Sequence, residues 1–122
     1  MANILIVDDN KSLQQSYSSF LEHDGHKIAT ASTVEEALEY LALDTPDLIL
    51  LDMLLPKVNG LELLQRYDIR GTHSDVKVIA FSNLSEERIK QEAESLGVSL
   101  YLNKSQVTPV ELESAIARAL AG

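Results

Sequence analysis

Short apolar runs alternate along this chain with segments whose apolar residues recur at helical spacing. The runs Ile4–Val7, Leu48–Leu51 and Val76–Phe81 contain one polar residue between them, which is typical of strands buried on both faces of a parallel sheet. The segment Val34–Ala42 carries apolar residues at i, i+3, i+4, i+7 and i+8, the pattern of an amphipathic helix. The alternation predicts an α/β fold, with a doubly wound parallel sheet covered by helices on both faces.

The whole pattern predicts five strands and five helices in strict alternation. The second strand is expected at Lys27–Ala31, and the fifth ends near Asn103. Capping residues mark the expected starts of the second, fourth and fifth helices: Thr33 with Glu36, Ser85, and Thr108 followed by Pro109. With 122 residues and no repeat or linker, we expect residues 1–122 to form a single domain.

Composition narrows the class of function. The net charge is −9, which argues against nucleic acid or an anionic membrane as a direct partner, because both select positive surfaces. The chain has no cysteine, which excludes disulfides, cysteine–zinc sites and thiol nucleophiles. No apolar run approaches the roughly 18–20 residues of a membrane span, and we expect a cytoplasmic location.

Charged and hydroxyl residues stand where four of the five predicted strands end. Asp8 and Asp9 follow the first strand, Asp52 the third, Ser82 the fourth and Lys104 the fifth. Ligands of open parallel sheets bind at the carboxyl ends of the strands. We therefore expect these five side chains to meet in one site, although most of the chain separates them.

This set of side chains predicts a metal and phosphoryl site. Two carboxylates about 4 Å apart repel by roughly 4 kcal/mol at an effective dielectric constant of about 20, so Asp8, Asp9 and Asp52 together need a cation or a proton. Carboxylate oxygens completed by waters suit Mg²⁺. Asp52 is the candidate nucleophile, forming an aspartyl-phosphate, while Lys104 and Ser82 would hold the phosphoryl oxygens.

Four segments make the chain resemble the receiver domain of two-component response regulators, of the chemotaxis-regulator type, over essentially its full length. They are Ile4–Asn10, Asp52–Gly60, Ile79–Ser82 and Tyr101–Lys104. The resemblance implies a flavodoxin-like sheet with strand order 2-1-3-4-5. It also implies a signalling phosphoacceptor, one that catalyses only its own phosphorylation and dephosphorylation.

The resemblance assigns roles to individual residues. Asp52 would take its phosphoryl group from a histidine kinase or a histidine phosphotransfer protein. The other implied roles are Mg²⁺ ligands for Asp8, Asp9, Asp52 and the backbone carbonyl of Leu54, a switch pair in Ser82 and Tyr101, and phosphate binding for Lys104. The surface of the fourth helix, fifth strand and fifth helix would then signal to a downstream protein or a fused output domain, from a monomer or a phosphorylation-dependent dimer.

The energy of such a switch can be bounded. Phosphorylation would pull Ser82 and Lys104 inward and turn Tyr101 into the space behind Ser82. Two new charge-assisted hydrogen bonds would supply about 3–6 kcal/mol. Since about 5.5 kcal/mol moves a population from 1:99 to 99:1, these bonds are of the size that a nearly complete switch needs.

Three features depart from the family pattern. Ser105 stands where the family usually has a proline, often behind a cis bond, and we predict a trans Lys104–Ser105 bond because a non-proline cis bond costs about 2.5–4 kcal/mol. Asn83 replaces a small residue and is expected to narrow access to the phosphoacceptor. Leu54 and Leu84 occupy positions that influence water attack on the phosphoryl group. Neither orients a water, so we expect slow self-dephosphorylation.

Two alternatives use the same residues. A Mg²⁺-dependent phosphatase or phosphotransferase would employ the same carboxylates, but enzymes of the haloacid dehalogenase class carry a second aspartate two residues after the nucleophile, where this chain has Leu54. A degenerate receiver would act only as an interaction module, and the complete set of acids, serine and lysine argues against it.

Overall fold

The computed structural model describes residues 2–84 and 86–121. Within them, five parallel strands form one sheet in the order β2-β1-β3-β4-β5, which confirms the predicted α/β fold and strand order. The strands are β1 Asn3–Val7, β2 Lys27–Ala31, β3 Leu48–Leu51, β4 Lys77–Ser82 and β5 Leu100–Asn103. The helices are α1 Lys11–His23, α2 Val34–Leu43, α3 Leu61–Arg66, α4 Glu87–Ser95 and α5 Pro109–Ala121, with a 3-10 turn at Lys104–Gln106.

The apolar runs of β1, β3 and β4 are continuous because these three central strands are buried on both faces of the sheet. In β1, Leu5 and Val7 belong to the core beneath α2, α3 and α4, whereas Ile4 and Ile6 belong to the core beneath α1 and α5. Burying one such side chain stabilises the fold by about 1.5–3 kcal/mol. No helix in the described part of the chain has the length and apolar character needed to cross a membrane.

Strand register brings the carboxyl ends of neighbouring strands to one edge. Val7 in β1 pairs with Leu51 in β3, and Leu51 in turn pairs with Ala80 in β4. Ser82, at the end of β4, pairs with Asn103 at the end of β5. The residues that follow these strands therefore begin side by side at the carboxyl edge of the sheet.

The structure refines the predicted boundaries and caps. Strand β4 begins and ends one residue later than the predicted run and includes Ser82. Thr33 Oγ1 accepts a hydrogen bond from the Glu36 N–H at 3.1 Å, as predicted. The Glu36 carboxylate, however, accepts from the Ser32 N–H at 2.7 Å, one residue earlier than a capping box requires. The predicted cap at Ser85 lies outside the described residues.

The start of α5 is a complete capping box. Thr108 Oγ1 accepts a hydrogen bond from the Glu111 N–H at 3.1 Å, and the Thr108 N–H donates to Glu111 Oε1 at 2.9 Å. The hydrogen bond that the Glu111 carboxylate accepts from the Thr108 N–H, and after it the Thr108 side chain, hold the pKa of Glu111 below its ordinary value of 4.5. The box fixes the start of the helix that follows the lysine-bearing turn.

We expect Thr108→Ala to lower the free energy of unfolding by about 1 kcal/mol, because it removes the oxygen that caps α5. Urea denaturation measures this, and Thr108→Ser, which keeps the hydroxyl, is the matched control. Because the folded pKa of Glu111 is lowered, its contribution is present above pH 4.5 and is lost as the pH falls. Part of the Thr108→Ala loss should therefore disappear in acid, and equal losses for the alanine and serine variants would contradict the capping account.

Candidate functional site

The five side chains predicted for the site meet at the carboxyl edge of the sheet. Asp8 and Asp9 follow β1, Asp52 follows β3, Ser82 closes β4 and Lys104 begins the turn after β5. Hydrogen bonds link four of them directly. Asp9 joins them through the proximity of its carboxylate to those of the other two acids.

The three carboxylates form a compact cluster. One oxygen from each of Asp8, Asp9 and Asp52 lies within 4.8 Å of the others. Asp8 and Asp52 are only 5% and 6% exposed, whereas Asp9 is exposed. Two of the three anions are thus largely removed from water, where their mutual repulsion is least screened.

Lys104 supplies a positive charge to this cluster. Its Nζ lies 2.5 Å from Asp8 Oδ2 and 2.9 Å from Asp52 Oδ2, and its side chain is only 10% exposed. Burial by itself lowers the pKa of Lys104. The hydrogen bonds to Asp8 and Asp52 and the charges of those carboxylates outweigh it, so the pKa is raised above its ordinary value. The ammonium group therefore bridges both buried acids in its charged form.

Asp52 receives hydrogen bonds from three directions. The Ser82 hydroxyl donates to Asp52 Oδ1 at 2.6 Å, and the Leu54 N–H donates to the same oxygen at 3.0 Å. Lys104 donates to Oδ2. Charge-assisted hydrogen bonds of this kind are the stronger ones in proteins, so the carboxylate of Asp52 is held in one orientation.

Tyr101 is connected to Asp52 through the loop that follows β4. Its hydroxyl donates to the backbone carbonyl of Leu84, and the Leu84 N–H donates to Ser82 Oγ at 3.2 Å. The ring of Tyr101 is half-buried and packs against the core beneath α4. Burial raises the pKa of Tyr101, the Ser82 hydroxyl opposes this, and the charges of Asp52 and Glu86 add to it.

Ser82, Lys104 and Tyr101 point inward in this structure. Ser82 and Lys104 both contact the Asp52 carboxylate, and the Tyr101 hydroxyl lies against Leu84. The movement of Ser82, Lys104 and Tyr101 on phosphorylation stays a prediction.

The loop after Asp52 is fixed by backbone contacts. Leu54 forms an antiparallel bridge with Asn59, and the Gly60 N–H donates to the Met53 carbonyl at 3.0 Å. A Cβ atom at Gly60 would lie 2.9 Å from both the Asp52 carbonyl oxygen and Met53 Sδ. Glycine is therefore required there because the backbones approach closely. The loop holds the Leu54 N–H against Asp52, while the role of the Leu54 carbonyl as a metal ligand stays a prediction.

The donor chemistry of the cluster fits a hard divalent cation. Asp8, Asp9 and Asp52 together offer carboxylate oxygens, the ligands that Mg²⁺ prefers. One oxygen each of Asp8 and Asp52 is bound to the ammonium group of Lys104. A cation at this cluster and Lys104 would therefore draw on the same two carboxylates.

The structure shows where the residues that depart from the family pattern lie relative to the site. No peptide bond within residues 2–84 and 86–121 is cis, which confirms the predicted trans Lys104–Ser105 bond. Asn83 is exposed. Leu84 packs partly against the core, and Leu54 is 51% exposed beside the site. Leu54 is thus the better placed of the two leucines to influence solvent near Asp52.

Sequence reasoning missed Gln14, a buried polar residue that supports the site. Its Nε2 donates to the Asp8 carbonyl, to the Ala31 carbonyl at 3.0 Å and to Ser32 Oγ at 3.1 Å. The side chain is 5% exposed and ties the end of β1 to the end of β2. Its position seven residues before Leu21, on the apolar stripe of α1, was the available signal.

Comparison with known proteins agrees with this geometry. The family described as the response regulator receiver domain matches residues 4–117. The chain is 38% identical over 104 residues to the KDP operon transcriptional regulatory protein KdpE of Escherichia coli, covering 85% of this chain and 45% of KdpE. It is 30% identical over 115 residues to the response regulator MprA of Mycobacterium tuberculosis, covering 94% of this chain and 47% of MprA. The chain thus spans about half the length of these curated relatives.

Solved structures show the same fold. A CheY-like response regulator receiver domain protein from Methanospirillum hungatei superposes with a TM-score of 0.92 at 27% identity, covering 99% of this chain and 94% of that one. The chemotaxis protein CheY4 of Vibrio cholerae gives a TM-score of 0.88 at 26% identity, with 98% of each chain covered.

The family match spans nearly the whole chain, and the sheet order is that of the CheY-like structures. The acids, serine and lysine of the site stand at the strand ends where the family motifs led us to expect them. The chain belongs to the receiver domains of two-component response regulators.

Proposed function

We propose that Asp52 accepts a phosphoryl group from a histidine kinase or a histidine phosphotransfer protein in a Mg²⁺-dependent step. The observation that carries this proposal is the convergence on one carboxylate of Lys104, Ser82 and the Leu54 N–H. Two further acids lie beside it. A carboxylate surrounded by donors and next to a candidate cation site has what phosphoryl transfer requires.

In the proposed step, an Asp52 oxygen attacks phosphorus in line with the leaving imidazole of the donor histidine. The new P–O bond forms as the P–N bond breaks, and the departing nitrogen keeps the electron pair and takes up a proton. Lys104 and Ser82 bind phosphoryl oxygens. Asp8, Asp9 and Asp52 would hold Mg²⁺, which would supply neutralisation of the charge on the transferring group.

The proposed switch acts through a difference in bond strength. Because Ser82 and Lys104 already contact Asp52, phosphorylation exchanges existing bonds for stronger ones to a more highly charged group. A modification shifts an equilibrium only by its differential interaction with the two states. The gain is therefore smaller than the 3–6 kcal/mol that two wholly new bonds would give, and we expect a partial population shift.

The output surface in this proposal comprises α4, β5 and α5. The bond from Tyr101 to the Leu84 carbonyl links β5 to the loop that begins at Ser82. Leu100 and Val110, which are 37% and 64% exposed, lie on β5 and α5. A change at Ser82 would alter the position of Tyr101 and of these neighbours, which a partner reads.

We further propose that residues 1–122 form one receiver domain that signals in the cytoplasm, as a monomer or a phosphorylation-dependent dimer. KdpE is named a transcriptional regulatory protein, and this chain covers 45% of its length. By analogy, the signal passes to a downstream protein or a fused output domain. The receiver itself makes no direct contact with nucleic acid or membrane, in keeping with its net charge of −9.

The residues of the site argue against the two alternative functions. A phosphatase of the dehalogenase type needs an acid two residues after its nucleophile, and Leu54 holds that place. A degenerate interaction module would not need Lys104 bonded to two buried acids. We therefore propose a signalling phosphoacceptor that catalyses only its own phosphorylation and dephosphorylation.

Incubation with Mg²⁺ and acetyl phosphate tests the function. We expect intact-mass spectrometry to detect one added phosphoryl group on the wild type and none on Asp52→Asn, because the amide lacks the nucleophilic oxygen. Asp75→Asn, which changes an exposed acid just before β4 at the opposite edge, should still be phosphorylated. An adduct on Asp52→Asn would remove the proposed role of Asp52, and release of phosphate from an external phosphoester would favour the phosphatase.

Lys104→Met tests the charge compensation. In Mg²⁺-free buffer we expect the free energy of unfolding to fall by about 3 kcal/mol, the lower end of the range for breaking a buried ion pair. Added Mg²⁺ should narrow the difference from the wild type, because the cation binds the folded variant without competition from the ammonium group.

Urea denaturation at several Mg²⁺ concentrations measures both effects, and Lys90→Met on α4 is the control. A Lys104→Met deficit that stays constant from zero to saturating Mg²⁺ would show that lysine and cation do not share the carboxylates.

Slow self-dephosphorylation is tested at Leu54. We expect the phosphoryl group to persist longer on the wild type than on Leu54→Asn, whose amide at this exposed position can orient an attacking water. The half-life of the phosphorylated protein after removal of acetyl phosphate is the measurement. Leu84→Glu provides the second position, and wild-type protein that loses its phosphoryl group as fast as both variants would refute the expectation.

A further inference from the structure

Lys104 lies in a short turn that is held by the side chain of its neighbour. The 3-10 turn Lys104–Gln106 connects β5 to α5 and is capped by Asn103, the last residue of β5. Asn103 Oδ1 accepts from the Ser105 N–H at 2.9 Å and from the Ser105 hydroxyl at 2.6 Å. The two donors of Ser105 thus bind the same oxygen of Asn103, and these bonds span Lys104, the residue between them.

This contact, the Asn103–Ser105 clamp, starts from a rigid part of the fold. Asn103 pairs with Ser82 across β4 and β5, so its backbone is fixed in the sheet beside the site. Asparagine side chains commonly bond to the backbone two residues on and thereby set a turn. The clamp therefore constrains the direction of the Lys104 side chain relative to the sheet.

Ser105 is not a neutral substitute for a proline in this arrangement. A proline has no N–H and no hydroxyl, so it supplies neither of the hydrogen bonds that Asn103 accepts. The Lys104–Ser105 bond is trans, and this turn keeps its shape through side-chain hydrogen bonding instead of a proline ring. At its other end Lys104 reaches Asp8 and Asp52.

We propose that Asn103 is a positioning residue that, through its clamp with Ser105, directs the Lys104 ammonium group to the phosphoryl site. The inference rests on the proposed function, because it concerns the lysine that binds the phosphoryl oxygens. In this inference, Asn103 affects phosphoryl binding only through Lys104. A purely structural role in joining β5 to α5 would instead act independently of the lysine.

A double-mutant cycle with beryllofluoride, a phosphoryl mimic, at fixed Mg²⁺ distinguishes the two roles. The proteins are the wild type, Asn103→Ala, Lys104→Met and the double variant, and fluorine NMR gives the dissociation constants. Asn103→Ala should weaken beryllofluoride binding about two- to tenfold, the effect of losing a hydrogen-bonding partner. In the Lys104→Met background the same change should have no further effect.

Matched variants test how beryllofluoride affinity depends on the individual hydrogen bonds of the clamp. Asn103→Ser, which keeps an uncharged acceptor oxygen, should recover part of the affinity, since hydroxyls form such turns more weakly. Ser105→Ala keeps the N–H donor and should weaken binding less than Ser105→Pro, which removes both donors. Urea denaturation of each variant shows whether it remains folded at the temperature of the binding measurement.

The outcomes separate the inference from the proposed function. Unchanged binding in Asn103→Ala, or an equal loss in the Lys104→Met background, would overturn the clamp alone. Failure of the wild type to bind beryllofluoride would overturn the proposed function, and the inference with it. A loss that depends on Lys104 and is partly rescued by Asn103→Ser would establish the positioning role.

Discussion

The ammonium group of Lys104 lies between two buried carboxylates, and the rest of the site depends on this ion pair. Parallel strands whose ends share one edge bring Asp8 and Asp52 together, and their repulsion in a water-poor setting would otherwise cost several kcal/mol. Lys104 removes that cost within the protein. In the function that we propose, a cation or a phosphoryl group that engages these acids would redirect the Lys104 ammonium group.

A short route of hydrogen bonds leads from this ion pair to the protein surface. Ser82 contacts Asp52, the Leu84 N–H contacts Ser82, and Tyr101 contacts the Leu84 carbonyl. Each step is a direct bond, and the route ends on β5, next to the exposed side chain of Leu100. Because the contacts are already formed, the signal in our account is a change in their strength, which favours a graded shift of population over an all-or-none movement.

Much of the fold, and most of the side chains of the site, were predictable from the sequence. The spacing of apolar residues and the residues that follow each strand are local features of the chain. Continuous apolar runs gave the strands, and the residues after them gave Asp8, Asp52 and Lys104. What failed depends on tertiary contacts. Gln14 lies on the apolar stripe of α1 and donates hydrogen bonds to the ends of β1 and β2. The clamp at Asn103 forms because Ser105 supplies two hydrogen-bond donors. The hydrogen bond from the Ser82 hydroxyl to Asp52 is likewise a matter of packing that no local pattern encodes.

A crystal structure of the protein with Mg²⁺ and beryllofluoride tests the central claim most directly. We expect an ion bound to the carboxylates of Asp8, Asp9 and Asp52, a beryllofluoride group on Asp52, and the Lys104 ammonium group moved from Asp8 to that group. A structure in which beryllofluoride occupies Asp52 while Lys104 still bridges Asp8 and Asp52, with no cation among the three acids, would contradict it.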